Sequence, residues 1–137
     1  MTSDFTIIIR ELKGFGNEPG YLNGIEPEVD FVGPTDDFPF DCPNVNRREE
    51  AVLMFQSRDV DFSKNILTIN GETVLGGIPV SPNKNTWNGN IMLIGSGILR
   101  ESNNEIHIEA RNKKGDGGGD IDDFILDNMV IMYKTVR

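Results

Sequence analysis

The sequence predicts an all-β protein, an antiparallel two-sheet β-sandwich of about eight strands. Short runs of β-branched and apolar residues recur along the chain, and turn signals separate them about every 8–12 residues. The 15 Gly and 7 Pro residues suit many turns, and no amphipathic helix of convincing length appears. The chain has the length of one ordinary domain, so we treat residues 1–137 as a single sandwich.

The first part of the chain contains three short predicted strands. Residues 5–12 read FTIIIREL, a β-branched run typical of a strand. Residues 13–27 are rich in Gly and Asn and indicate turns, and residues 28–32 then alternate as a short strand. Residues 38–41 include Pro39, which cannot donate to a central ladder, so we predict an edge strand there.

A run of five apolar residues marks the next strand. Residues 51–55 read AVLMF, which indicates a central strand covered on both faces. A helix is the competing interpretation, because residues 47–56 are mostly fair helix formers. We favour the strand, because alternation continues as far as residue 62.

Residues 66–75 give the clearest local signal in the chain. Asn70-Gly71 supplies the two positive-φ residues of a type I′ turn, so the residues on either side are predicted to form a β-hairpin. Residues 90–94 are a further predicted strand.

The last two strands differ in how many apolar faces they show. Residues 105–111 alternate, with Ile106, Ile108 and Ala110 on one side and charged or polar residues on the other, so one face of that sheet is predicted to be wet. After a loop at 112–123, residues 124–133 form a final strand that is apolar on both faces.

The net charge excludes several partner classes. A formal charge of -9 and a pI near 4.5 repel phosphate backbones and anionic lipid surfaces. We therefore expect no nucleic acid and no membrane partner. Cations and neutral ligands such as sugars stay open, and the acidic charge also serves solubility.

Cysteine use and hydropathy point to a protein without disulfides or membrane spans. Cys42 is the single cysteine, so no internal disulfide is possible. No apolar stretch approaches the ~20 residues of a membrane helix. The N-terminal residues lack the basic and apolar regions of a secretory signal. A cytoplasmic location is the default expectation, although a removed signal would leave no trace.

Three segments carry a family resemblance, and they read ILTINGETVLGG, NIMLIGSGILRESNNEIHIEARNKKG and IDDFILDNMVIMYK. Residues 65–134 resemble the galactose-binding-domain-like jelly-roll sandwiches of carbohydrate-binding modules and of accessory domains of glycoside hydrolases. The resemblance implies a jelly-roll-like fold, sugar binding as one of several functions that the fold hosts, and a structural calcium. The segment FDCPNVNRREEAVLMFQSRDVDF also resembles small single-domain sandwich proteins of microbes.

The Gly-rich loop at 115–123 is a candidate calcium site. Calcium takes six to eight hard oxygen ligands on a flexible backbone, and this loop combines glycines with carboxylates. The candidate ligands are Asp116, Asp120, Asp122 and Asp123. The spacing is not that of an EF-hand. The alternative is a hairpin loop in which Asp122 or Asp123 caps backbone N–H groups at the strand start.

Trp87 lies in the polar loop PNKNTWNGN and is a candidate sugar platform. An exposed ring can stack on a sugar face while the amides of Asn85 and Asn88 bind its hydroxyls. Tyr21, in the first Gly-rich loop, is a second candidate platform. The alternative is that Trp87 folds back and plugs the end of the sandwich.

The remaining chemistry-bearing residues favour structural roles. Asp59 and Asp61 share one face of an extended segment, where a solvated edge is the expected reading; Asp36-Asp37 is another acidic pair. His107 falls on the wet face without a second histidine to form a metal site. Cys42, followed by Pro43, is predicted to be a small buried or edge residue rather than a nucleophile. We therefore do not expect an enzyme.

These observations lead to two hypotheses for function. The first is a non-catalytic binding module, with carbohydrate as the leading ligand class and calcium as its candidate cofactor. The alternative is a protein-interaction or structural domain with no small-molecule site, because the strands at 51–55 and 124–133 are apolar on both faces. A partner protein or a second copy in a homo-oligomer would then cover the outer face of that sheet.

Overall fold

The computed structural model describes residues 2–22, 24 and 28–136, and the side chains at 21 and 22 lie outside that description. In this part of the chain, ten strands form two sheets, and the helical content is one 3-10 turn at Pro19–Leu22. The strands are β1 Ser3–Ile9, β2 Lys13–Phe15, β3 Asp30–Gly33, β4 Thr35–Phe40, β5 Ala51–Arg58, β6 Ile66–Ile69, β7 Glu72–Thr73, β8 Asn88–Ile94, β9 Asn104–Glu109 and β10 Phe124–Lys134. The prediction of an all-β sandwich is confirmed.

The six-stranded sheet is built around β10, the longest strand. Its order is β3-β2-β10-β5-β8, and β1 also pairs with β10. Strands β2 and β1 lie end to end along one side of β10, because β2 pairs with residues 124–126 and β1 with residues 129–134. Strand β5 pairs with the other side. The pairs are antiparallel except β2 with β3, which is parallel.

The four-stranded sheet has the order β4-β9-β6-β7, and all its pairs are antiparallel. Strand β4 is the predicted edge strand, and Pro39 lies within it. The β6–β7 hairpin turns at Asn70 and Gly71, whose φ angles of 52° and 83° are those of the predicted turn. The predicted wet face of β9 is confirmed, because Ile106 and Ile108 are fully buried while Glu105 is exposed.

The two sheets enclose one main apolar core. Alternate residues of β5 point into it, as do Phe124 and Leu126 of β10. The ring of Phe15 stacks on Phe124 with centroids 5.3 Å apart and meets Phe38 edge-on at 6.3 Å. Each fully buried side chain of this size contributes roughly 1.5–3 kcal/mol through apolar burial.

Three details differ from the sequence predictions. Strand β2 lies in the segment that was predicted to be turns, so ten strands are present rather than about eight. Strand β5 is central, but Val52 and Met54 on its outer face are only half-buried. The prediction that β5 is covered on both faces is therefore wrong for this chain. The extended segment ends at Arg58: Asp59 has a φ of 60° and is 2% exposed, so it is not on a solvated edge.

No helix in the described part of the chain is long and apolar enough to cross a bilayer.

Candidate functional site

The Asp122 carboxylate ties the Gly-Asp loop to the turn after β5. It accepts hydrogen bonds from the backbone N–H groups of Asp61 and Phe62 at 3.0 Å and from Nδ2 of Asn65 at 2.8 Å. The side chain is 2% exposed. Burial raises the pKa of the Asp122 carboxyl above its usual value, although these hydrogen bonds oppose the shift. Its contacts are those of a structural cap.

Asp123 caps a second segment next to it. Its Oδ1 accepts hydrogen bonds from the backbone N–H groups of Asn17 and Glu18, both at 3.0 Å. A Cβ at Gly16 would lie 1.9 Å from this Oδ1, and the φ of +133° at Gly16 also requires glycine. Burial raises the pKa of the Asp123 carboxyl. Asp122 and Asp123 therefore cap backbone N–H groups, as predicted, but these groups belong to the segments at 61–62 and 17–18 and not to the strand start.

The four candidate calcium ligands do not converge on one point. Asp122 and Asp123 line a cavity of about 160 Å³, which Asp120 also borders. Asp116 instead lines an open cleft of about 360 Å³ with Lys113 and Lys114. Of the four candidate ligands, Asp120 alone borders both the cavity and the cleft. No group of three or more His, Cys, Asp or Glu residues suited to a metal occurs among the described residues. The residues thus do not form a ready-made cation cage, and calcium binding stays a prediction.

The Trp87 ring folds back onto the protein. It is half-buried and packs with a small cluster on the outer face of the six-stranded sheet. The other members of this cluster are Leu12, Val29, Phe31 and Ile125. The ring therefore covers the outer face of the sheet rather than the end of the sandwich, and it does not stand free as a platform.

The loop that carries Trp87 is held at its base. The backbone N–H of Asn85 donates to Oδ1 of the buried Asp59 at 2.8 Å. Asn88 starts β8, and its Nδ2 donates to the carbonyl of Thr86 at 3.3 Å. Asn85 is exposed and Asn88 half-buried. Tyr21 lies in the 3-10 turn, and its side chain is outside the described residues.

Next to the cluster around Trp87, the outer face of the six-stranded sheet has a second apolar area, whose side chains are half-buried or exposed. Cross-strand pairing aligns two rows of side chains over β1, β10, β5 and β8. The rows are Phe5, Met132, Val52, Leu93 and Ile7, Val130, Met54, Ile91. We call these eight residues the bare patch. Opposite residues in a sheet share a face with Cβ atoms about 4.5–5.5 Å apart, so the patch is contiguous.

Four members of the bare patch are strongly exposed. The exposed fraction is 73% for Ile91, 58% for Phe5 and Leu93, and 42% for Met132. The sequence reasoning identified the apolar outer residues of β5 and β10 but did not single out Phe5, Ile91 or Leu93. The run IMLI at 91–94 in β8 was the available signal, because its four consecutive apolar residues resemble the five of AVLMF in β5.

The outer face of the four-stranded sheet is polar by contrast. His107 bonds Asp37 of the neighbouring strand through Nδ1 and Glu109 through Nε2, and Arg111 pairs with the same Glu109. The hydrogen bond with Glu109 raises the pKa of His107, and Asp37 adds to the shift. The pKa of Glu109 is lowered in turn. These contacts form a network of ion pairs on the wet face of the sheet, where His107 was predicted to lie.

Cys42 is buried, as predicted for a structural cysteine. Burial raises the pKa of its thiol to about 12, so it stays protonated and is a poor nucleophile at neutral pH.

Comparison with known proteins gives no family assignment: no protein-family profile matches the chain, and a search of curated proteins finds no significant match. The resemblance to galactose-binding-like sandwiches therefore stays a prediction.

Proposed function

We propose that this protein is a non-catalytic interaction domain that assembles with a second copy of itself through the bare patch. The observation that supports the proposal is the pair of contiguous apolar rows over four strands, with Ile91 73% exposed at their edge. Contiguous apolar patches of this kind on soluble proteins are often functional.

The chemistry of the patch fits a copy of itself. The eight side chains carry no charge, so two patches can meet without burying an unpaired ion. A two-fold axis places the same surface on both partners, and a flat apolar sheet face is complementary to itself. Two sheets stacked in this way lie about 10 Å apart, as inside a sandwich.

The size of the patch indicates a moderate affinity. Four strands about 4.8 Å apart and two side-chain rows give roughly 300 Å² of apolar sheet. A standard interface buries about 800 Å² on each partner, so the patch supplies its apolar centre and the neighbouring polar residues supply the rim. Each copy has a net charge of -9, so the two copies repel at long range.

Sedimentation velocity over a range of protein concentrations tests the proposal. We expect the wild type to associate and the association to strengthen as sodium chloride screens the repulsion. The double variant Ile91→Thr/Leu93→Thr keeps β propensity but removes apolar contact, so its dissociation constant should rise by at least about a hundredfold.

A matched control uses two exposed valines outside the patch. Val80 and Val136 are 45% and 58% exposed, and Val80→Thr/Val136→Thr should leave the association unchanged. A wild type that stays monomeric at every concentration and salt level would refute self-assembly, and equal effects of the two double variants would refute the assignment to this face.

Carbohydrate binding at Trp87 is the second candidate. The ring is half-buried rather than fully buried, and exposed Asn85 lies two residues before it, so part of the ring and an amide remain accessible. The stability and fluorescence of Trp87 variants distinguish this candidate from a structural role.

A further inference from the structure

Two cavities adjoin at the end of the sandwich where β8 ends and the β6–β7 hairpin turns. One is polar, with a volume of about 420 Å³, and the other is mainly apolar, with a volume of about 260 Å³. Glu72 and Ile98 line both, so they form one groove. These volumes are comparable to the ~300–1,000 Å³ of small-ligand sites.

Arg47 is fixed in the polar cavity by its own hydrogen bonds. Its Nε donates to the carbonyl of Leu99 at 2.9 Å, and its Nη2 donates to the carbonyl of Gly97 at 2.6 Å. The backbone N–H of Gly97 donates back to the carbonyl of Arg47 at 2.8 Å. The guanidinium is therefore oriented in advance, and its remaining N–H groups can donate to a further acceptor.

Arg100 joins Arg47 in the same cavity, and its backbone is also fixed. Its N–H donates to Oδ1 of Asn104 at 2.8 Å, and its carbonyl accepts from Nδ2 of Asn104 at 2.7 Å. Asn104 is 1% exposed and accepts a further hydrogen bond from Asn70 at 2.9 Å. Although the protein has a net charge of -9, the lining of this cavity has two arginines and one glutamate, and this local excess of positive charge favours an anion.

The apolar cavity holds side chains that are poorly covered by the protein itself. Leu75 is 86% exposed and Leu93 is 58% exposed, and Val74, Ile94 and Ile98 line the cavity with them. An apolar group placed here would remove both leucines from water. Glu72 lies between the two cavities and can accept a hydrogen bond from a donor at the junction.

We propose that this groove binds the C-terminal residue of a polypeptide with an apolar last side chain. Such a residue has three groups in the order that the groove presents: a carboxylate for Arg47 and Arg100, an amide N–H for Glu72, and an apolar side chain for the cavity at Leu75. Capture of a terminal carboxylate beside a side-chain pocket is a known mode of peptide recognition. The groove shares Leu93 with the bare patch, and its other lining residues lie outside the patch.

Fluorescence anisotropy with a labelled Gly-Ser-Gly-Ser-Leu peptide tests the proposal on the full chain. We expect the free-carboxylate peptide to bind at least about tenfold more tightly than its C-terminal amide and than a peptide ending in Asp. Arg100→Gln and Leu75→Ser should each weaken binding by about tenfold or more, because they remove an ion contact and apolar contact.

Arg48→Gln is the matched control, because Arg48 is exposed beside Arg47 but does not line the groove. It should bind like the wild type. All three changed residues are exposed, and thermal melts check that the variants stay folded. Equal affinity for the acid and amide peptides would overturn the proposal. Binding of N-acetyl-leucine as tight as that of the peptide would assign the groove to a free small molecule and also overturn it.

Discussion

The outer face of the six-stranded sheet has two apolar halves that the protein treats differently. Around Ile125, other parts of the chain cover the sheet: Trp87, just before β8, and Phe31, in β3, pack against this residue, which is fully buried. Around Ile91, on the same face, no such cover exists in the described part of the chain, and the side chain is 73% exposed.

The difference lies in what packs on the sheet: a loop and the short strand β3 contribute side chains to one half, and no such segment among the described residues packs on the other. The covering loop before β8 is anchored by Asp59, whose carboxylate holds the backbone of Asn85. The parallel pairing of β2 and β3 brings Phe31 over the same half. The bare half has strands of equal apolar character but no anchored loop above them. An apolar surface that the chain could cover and does not cover is the expected form of an interface.

The largest expected effect separates the two halves by stability. Ile125→Ala should lower the free energy of unfolding by about 2–5 kcal/mol, because it leaves a cavity under Trp87. Ile91→Ala should change it by less than about 1 kcal/mol in the monomer, since this side chain is already in water. Chemical denaturation at low protein concentration measures both. Similar losses would mean that the two halves are equally covered in solution.

A smaller loss of stability is expected when the Trp87 ring, which covers this half of the sheet, is removed. Trp87→Ala should cost about 3 kcal/mol, near the lower end for large aromatic side chains because the ring is half-buried. Trp87 is the single tryptophan, so its emission in the wild type reports directly on this contact and should shift to the red on unfolding. If the variant keeps its stability, and oligosaccharides shift the emission of the wild type, the ring is a sugar platform instead.

The smallest expected loss of stability follows from changing Asp59, which holds the loop that carries Trp87. Asp59→Ala should cost about 1–3 kcal/mol, because it leaves the N–H of Asn85 without its acceptor. Asp59→Asn is the control: it keeps an acceptor and tolerates the φ of 60°, so it should cost less. The Trp87 emission should move further to the red in the alanine variant than in the asparagine variant. Equal shifts in the two variants, which both lack the charge, would show that the anchor acts through its charge, with Arg58 3.7 Å away, and not through this hydrogen bond.

Much of the architecture could be predicted because it depends on local chemistry. The turn at Asn70-Gly71 and the alternation through Ile106 and Ile108 are encoded in neighbouring residues, and the structure confirms both. Strand β2 could not be predicted, because three residues with a central glycine have little strand propensity and pair only when β10 and β3 lie beside them.

For the candidate sites, the sequence identified residue types better than positions. It singled out Asp122 and Asp123 as caps at the strand start, whereas the N–H groups that they bind belong to segments far away in the chain. It did not find the groove of Arg47 and Arg100, whose walls come from segments far apart in the chain. Spacing within one segment contains no information about such a site.

Strand period and turn chemistry act over a few residues, so the amino-acid sequence is sufficient to predict short antiparallel strands with apolar faces. Which of these faces is covered depends on how the strands pair and pack. In β10 the register shifts between Asp127 and Val130, where Asn128 has a φ of 48°. Leu126 and Met129 therefore both reach the core although they are three residues apart, and Ile125 and Val130 share the outer face. One extra residue in a strand moves every following side chain to the opposite face of the sheet. The pairing of β10 with β5 and β1 therefore determines which of its side chains lie on the outer face and can contact a partner.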